Sequence, residues 1–179
     1  MLSQASAERT HQSNQHFDRA MVIYLKIEGV RGNVTDPGHE NWIEIGSFSF
    51  GVGRGIASSS PGNQSNREAS VPSFTEIRVD KVMDETSPIL FQLATVGTAK
   101  RVEIHISETV AERNMVTVRY TLTDVLISNY NVSTGGSRPQ ESLSLNFARI
   151  EMSFIPYNDK GETGSPVAAG YDLVLARKI

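Results

Sequence analysis

The chain has 179 residues, 39% hydrophobic and 21% charged, which is enough to enclose one hydrophobic core. A formal net charge of -3 lacks the basic surplus that a phosphate backbone would need, and zero cysteines remove disulfides, thiol nucleophiles and thiolate metal sites. No stretch reaches the roughly 18 uninterrupted apolar residues of a membrane-spanning helix.

Residues 1–20 are rich in Ser, Gln, Asn and His and carry neither the basic nor the apolar region of a secretory signal. They are expected to form a flexible extension, with a folded domain spanning 21–179. From Val22 the pattern changes. Ile23, Leu25 and Ile27 alternate with Tyr24, Lys26 and Glu28, the period of a half-buried strand. Gly29 to Gly38 reads as a loop, and Trp42 to Val52 as a second strand with Trp42, Phe48 and Phe50 on one parity. Gly53 to Ser70 holds a single large apolar residue, Ile56, among Ser, Gly and Asn. Connections of this length inside a compact domain commonly order against a partner.

Phe74 to Val82 alternates again. Ser87-Pro88-Ile89-Leu90-Phe91-Gln92-Leu93-Ala94 predicts one short helix, with Ser87 as cap, Pro88 in the first turn, an Ile89, Leu90 and Leu93 stripe, and Gly97 as stop. Asp84 and Glu85 precede it, where carboxylates favour the positive end of the helix dipole. Val102, Ile104 and Ile106 mark a strand, and Val116 to Ile127 another, with a hairpin turn at Glu112-Arg113-Asn114. After a Gly135-Gly136 turn, Leu143, Leu145 and Phe147 lie on odd positions, whereas Ile150, Met152 and Phe154 lie on even ones. This parity switch predicts a bend near Ala148, of the kind that barrel corners require. Asn158 to Gly170 reads as loop, with Gly170 allowing a turn into a final strand of Tyr171, Leu173 and Leu175. The sum is a mainly β chain of about seven or eight strands and one short α-helix.

The histidines do not form a ligand set. His11 and His16 fall in the extension, His105 is placed outward on its strand, and His39 is placed as a structural residue before Trp42 rather than as an acid–base partner of Glu40. Gly51-Val52-Gly53-Arg54-Gly55 lacks the Lys-Ser/Thr ending of a phosphate loop and opens no helix. No catalytic residue, cofactor or metal is assigned. The alternative reading is a small-ligand-binding or hydrolytic β-barrel whose interior is the site. A surface adhesin would call for the signal peptide that residues 1–20 lack.

Taken in order, these segments resemble the haemolysin-coregulated protein (Hcp) family, the tube subunit of the bacterial type VI secretion system. The resemblance rests on Tyr24-Leu25-Lys26-Ile27-Glu28-Gly29-Val30, His39-Glu40-Asn41-Trp42-Ile43-Glu44-Ile45 and Phe48-Ser49-Phe50-Gly51. It continues through Val79-Asp80-Lys81, Ser87-Pro88-Ile89-Leu90-Phe91, Phe147-Ala148-Arg149-Ile150-Glu151 and Ala169-Gly170-Tyr171-Asp172-Leu173. It covers roughly Val22 to Leu175. It implies an antiparallel β-barrel of two curved sheets with one helix, six copies closing into a ring, and rings stacking into a tube. It further implies a VgrG spike, a contractile sheath and small effector proteins in the lumen as partners. Assembly in the cytoplasm would be followed by secretion without a signal peptide. Arg54, Ile56, Arg67 and Glu68 are the candidate subunit contacts, because an isolated apolar residue among charges suits an interface rim.

Overall fold

The computed structural model describes residues 21–55, 70–110, 113–158 and 160–179. The predicted extension and most of the long loop, including Ile56, Arg67 and Glu68, lie outside the described residues. The elements in chain order are β1 (Met21–Ile27), β2 (Ile43–Ile45), β3 (Ser47–Ser49), β4 (Val52–Gly53), β5 (Ser73–Phe74), β6 (Ile77–Val82) and α1 (Ser87–Val96). They continue with β7 (Lys100–Val110), β8 (Arg113–Ser133), β9 (Gln140–Asn146), β10 (Arg149–Phe154), β11 (Val167–Asp172) and β12 (Arg177–Lys178).

All pairings are antiparallel. One sheet runs β12-β11-β10-β8-β7-β1-β2 and the other β3-β6-β9-β8, while β4 and β5 form a separate ribbon. Strand β8 belongs to both sheets: as far as Val125 it pairs with β7, and from Leu126 it pairs with β9. Between the two halves Asp124 takes a left-handed conformation (φ 52°), which a short polar side chain tolerates better than a branched one. The opposite corner is Gly46, between β2 on the first sheet and β3 on the second, whose N–H donates to the Asp80 carbonyl at 2.7 Å. The circuit β1, β2, β3, β6, β9, β8, β7 thus returns to β1. It closes through bent chain at two corners rather than through an unbroken ladder.

The predicted bend at Ala148 is where β9 on the second sheet gives way to β10 on the first. Alternation then fills the interior from both sides. Leu25, Ile77, Val79, Ile104, Leu122, Leu143 and Leu145 are fully buried, each contributing about 1.5–3 kcal/mol relative to exposure.

Several expectations change. Trp42 to Val52 is not one strand but three short ones, and Trp42 does not share a face with Phe48 and Phe50. Those two rings pack on Tyr120 in the core, whereas Trp42 lies on the outer face of the first sheet. Arg113 and Asn114 are already paired in β8 and so lie outside the expected hairpin turn, while Glu112 lies outside the described residues. The helix begins at Ser87 rather than being capped by it; Thr86 is the cap residue, and Gly97 ends the helix as expected. The last strand starts earlier, at Val167, and Leu173 and Leu175 lie in the turn leading to β12.

Gly170 is therefore mid-strand rather than in a turn. A Cβ there would lie 2.8 Å from Ile179 Cγ1 and 2.9 Å from the Ile150 carbonyl oxygen, so its value is close approach. Gly32 is tighter still: a Cβ would meet the Trp42 carbonyl oxygen at 2.0 Å, because the loop folds back and Gly32 N–H donates to Asn41 O at 2.8 Å. Backbone cannot yield as a side-chain tip can. Gly32→Ala should cost about 2–3 kcal/mol, an overpacking penalty read as a lower urea midpoint with unchanged slope.

Candidate functional site

Two clusters of buried polar groups stand out, one at each end of the barrel wall. The first lies beside the start of α1. In β6 the core-facing parity of Ile77 and Val79 continues to Lys81, and in β9 the parity of Leu143 and Leu145 continues back to Glu141. The register sets Lys81 directly opposite Glu141. Both side chains are completely buried, and Lys81 Nζ donates to Glu141 Oε2, Asp84 Oδ1 and the Val82 carbonyl, each at 2.9 Å. Three donors meet three acceptors. The second Glu141 oxygen accepts from the Tyr130 hydroxyl at 2.5 Å. Burial, with this hydrogen bond and the adjacent carboxylate charge, pushes the Tyr130 phenol up to about 12.

Asp84 also accepts from the Thr86 N–H at 2.8 Å and from its hydroxyl at 2.6 Å. Burial by itself would raise the Asp84 carboxyl; the hydrogen bonds from Thr86 and Lys81 outweigh it and hold the group below its ordinary value. Asp84 thus ties the start of the helix to Lys81 rather than acting as a free dipole partner. Each member of the cluster is hydrogen-bonded to another.

The second cluster sits on the outer face of the first sheet, under the loop from Gly32 to Trp42. His39 is buried, stacked on Tyr24 with ring centroids 4.1 Å apart, and edge-on to Trp42 at 5.0 Å. Its Nδ1 is 3.2 Å from Asp36 Oδ2 and its Nε2 is 2.9 Å from His105 Nδ1. A carboxylate can only accept, so His39 Nδ1 carries the proton. In the neutral pair Nε2 then accepts from His105 Nδ1–H. Asn114 donates to the other Asp36 oxygen at 2.8 Å, and Lys26 Nζ lies 5.4 Å from the Trp42 ring centre. His105 is covered by this loop rather than turned to solvent. Its pKa falls to about 4 through burial, through the repulsion that a protonated His39 would add, and through the nearby charges of Arg119 and Lys26. Tyr24 is raised chiefly by burial and by Asp36. The placement of His39 as structural agrees with this arrangement, although its partner is Asp36 rather than Glu40.

Of the candidate contacts only Arg54 is described. It is exposed, and its Nε donates to the Ser70 carbonyl at 2.6 Å, where Gly55 N–H also donates to Ser70 Oγ at 2.9 Å. Arg54 thus pins the base of the long loop. Among the described residues no group of three His, Cys, Asp or Glu side chains is placed to hold a metal ion, and no helix is long and apolar enough to cross a membrane.

Fold and clusters define a small two-sheet β-barrel protein in which two buried polar clusters hold irregular segments to the strands. A family model described as "Type VI secretion system effector, Hcp" matches residues 24–154, most of the barrel. Protein hcp1 of Pseudomonas aeruginosa is 26% identical over 160 residues, covering 86% of this chain and 96% of that protein. A solved structure of a type six secretion system protein superposes with a TM-score of 0.81 at 27% identity, over 89% of this chain and 100% of that one. Hcp1 from Salmonella typhimurium shares the fold, with a TM-score of 0.71 at 24% identity over 89% and 99%. The chain belongs to the Hcp family of the type VI secretion system.

Two tests follow from the clusters. Lys81→Met leaves Glu141 buried without its cation and should cost about 3–5 kcal/mol in urea unfolding, whereas Lys81→Met combined with Glu141→Leu should recover most of that loss. For His105 the folded pKa lies below the unfolded value of 6.5, so protonation favours unfolding. The stability it contributes is complete above pH 6.5, declines as pH falls to about 4, and changes no further below. The difference in stability between wild type and His105→Gln, measured across that window, should shrink towards acid pH.

Proposed function

We propose that this chain is the inner-tube subunit of a type VI secretion machine. It closes with five other copies into a ring, and rings stack into a hollow tube that is expelled with its contents. The observation that carries this reading is the family match across residues 24–154, which spans both sheets, both corners and the helix. The geometry supports it in two ways. The barrel interior is filled by side chains such as Leu25, Ile104, Leu122 and Leu145, so small cargo would be held outside the barrel, in a space that several copies enclose. The buried Lys81 is matched to Glu141 and His39 to His105, which suits a wall component more than a hydrolase.

In this reading the contractile sheath surrounds the tube, a VgrG spike sits at its tip, and effector proteins are bound in the lumen without being transformed. Secretion proceeds through the machine itself, from the cytoplasm outward. Arg54, Ile56, Arg67 and Glu68 remain proposed contacts between copies, with Arg54 fixing the base of the loop that carries the others. Native mass spectrometry of the purified chain should give a sixfold mass, with ring-shaped particles by negative-stain microscopy. A monomer at every concentration would count against the ring.

A further inference from the structure

The core-facing side of the first sheet outruns its cover. Register places Ile43, Leu25, Ile104, Tyr120 and Met152 in one row across the strands, and Ile45, Ile23, Ile106, Val118, Phe154 and Val167 in the next. All point to the same side, yet burial fails at the β10–β11 end of each row. From Ile43 at 1% exposure the first row reaches Met152 at 41%, and from Ile45 at 4% the second reaches Phe154 at 49% and Val167 at 71%. At β10 and β11 an inner sheet face, built from apolar residues, meets solvent. At the other end of β8, the ten residues of α1 include no charged side chain, and Ile89, Phe91 and Val96 are 41%, 55% and 63% exposed. A helix that faced only water would carry a polar outer stripe.

These two faces cannot cover each other within one chain. Helix α1 packs against the Tyr130 end of β8, with Phe91 5.8 Å from the Tyr130 ring, whereas β10 pairs with β8 over Val118 to Thr123. On the order of 20–40 Å of strand separates them. We propose that a second copy of this chain covers the β10–β11 face with the uncharged surface of its helix α1. The inference rests on the ring reading above and adds which surfaces meet. Each copy then satisfies both faces through two different neighbours, the head-to-tail contact from which rings close. Both faces are apolar and uncharged, so the pairing leaves no buried charge without a partner.

The test uses Phe154→Arg and Phe91→Arg in the full chain, separately and mixed, by native mass spectrometry with circular dichroism as a folding control. Each variant alone should lose the sixfold species at concentrations where wild type is assembled. An equimolar mixture should form one-to-one heterodimers, because one partner keeps an intact helix and the other an intact sheet face. If an arginine variant loses its folded spectrum, Phe154→Ser and Phe91→Ser take their place with the same expectations. Rings that persist in either variant, or a mixture that stays monomeric, would overturn the helix–sheet pairing while leaving the ring itself standing. A wild-type chain that is monomeric throughout overturns both.

Discussion

The geometry of the whole molecule depends on one 21-residue strand, β8, which leaves the first sheet and enters the second at Asp124. Because side chains alternate along a strand, it is a parity switch at Asp124 that lets a single element present core residues to both layers, Tyr120 and Leu122 on even positions before the corner and Val125 and Ile127 on odd positions after it. Gly46 provides the matching turn on the far side. The barrel needs no continuous ladder once these two bends are fixed, and the corners decide where each sheet extends beyond the other.

At both ends of that strand the protein buries polar groups, by opposite electrostatic means. Beside α1 the charges are kept and matched in full, with Lys81 between Glu141 and Asp84. Under the Gly32–Trp42 loop the titratable His105 is held neutral, and its nitrogen is satisfied by His39 instead of by a charge. Desolvating an ion is tolerable only with complete pairing, and desolvating an imidazole is cheaper when it remains uncharged. Both clusters fasten irregular segments to strands: the start of the helix in one case, the loop before β2 in the other.

Much of this was legible in the sequence. Alternation marked β1, β6, β7, β9 and β10, Pro88 and Gly97 bracketed the helix, and the parity switch at Ala148 located a change of sheet. Lys81 and Glu141 each continue an apolar alternation, but a charged residue on a core parity reads as solvent-facing until its partner across the ladder is known. The pairing of His39 with His105, 66 positions apart, leaves no local signal at all. Trp42 faces away from Phe48 and Phe50 because Gly46 interrupts what reads as a single strand. Leu173 and Leu175 read as strand but lie in a tight turn, which carries no glycine signal because Ala176 takes the left-handed conformation there.

What joins fold to function is incompleteness at the surface: the barrel is filled inside, yet an inner sheet face and a helix are left uncovered outside. A lone ligand-binding barrel would reserve its apolar surface for its interior, whereas a subunit of a larger wall exposes it where neighbours meet. The most direct measurement is the appearance of this protein in the culture medium of its own cells, with and without a functional type VI sheath. A tube subunit should be secreted with the sheath and retained in the cells without it; equal amounts outside both cells would rule that role out.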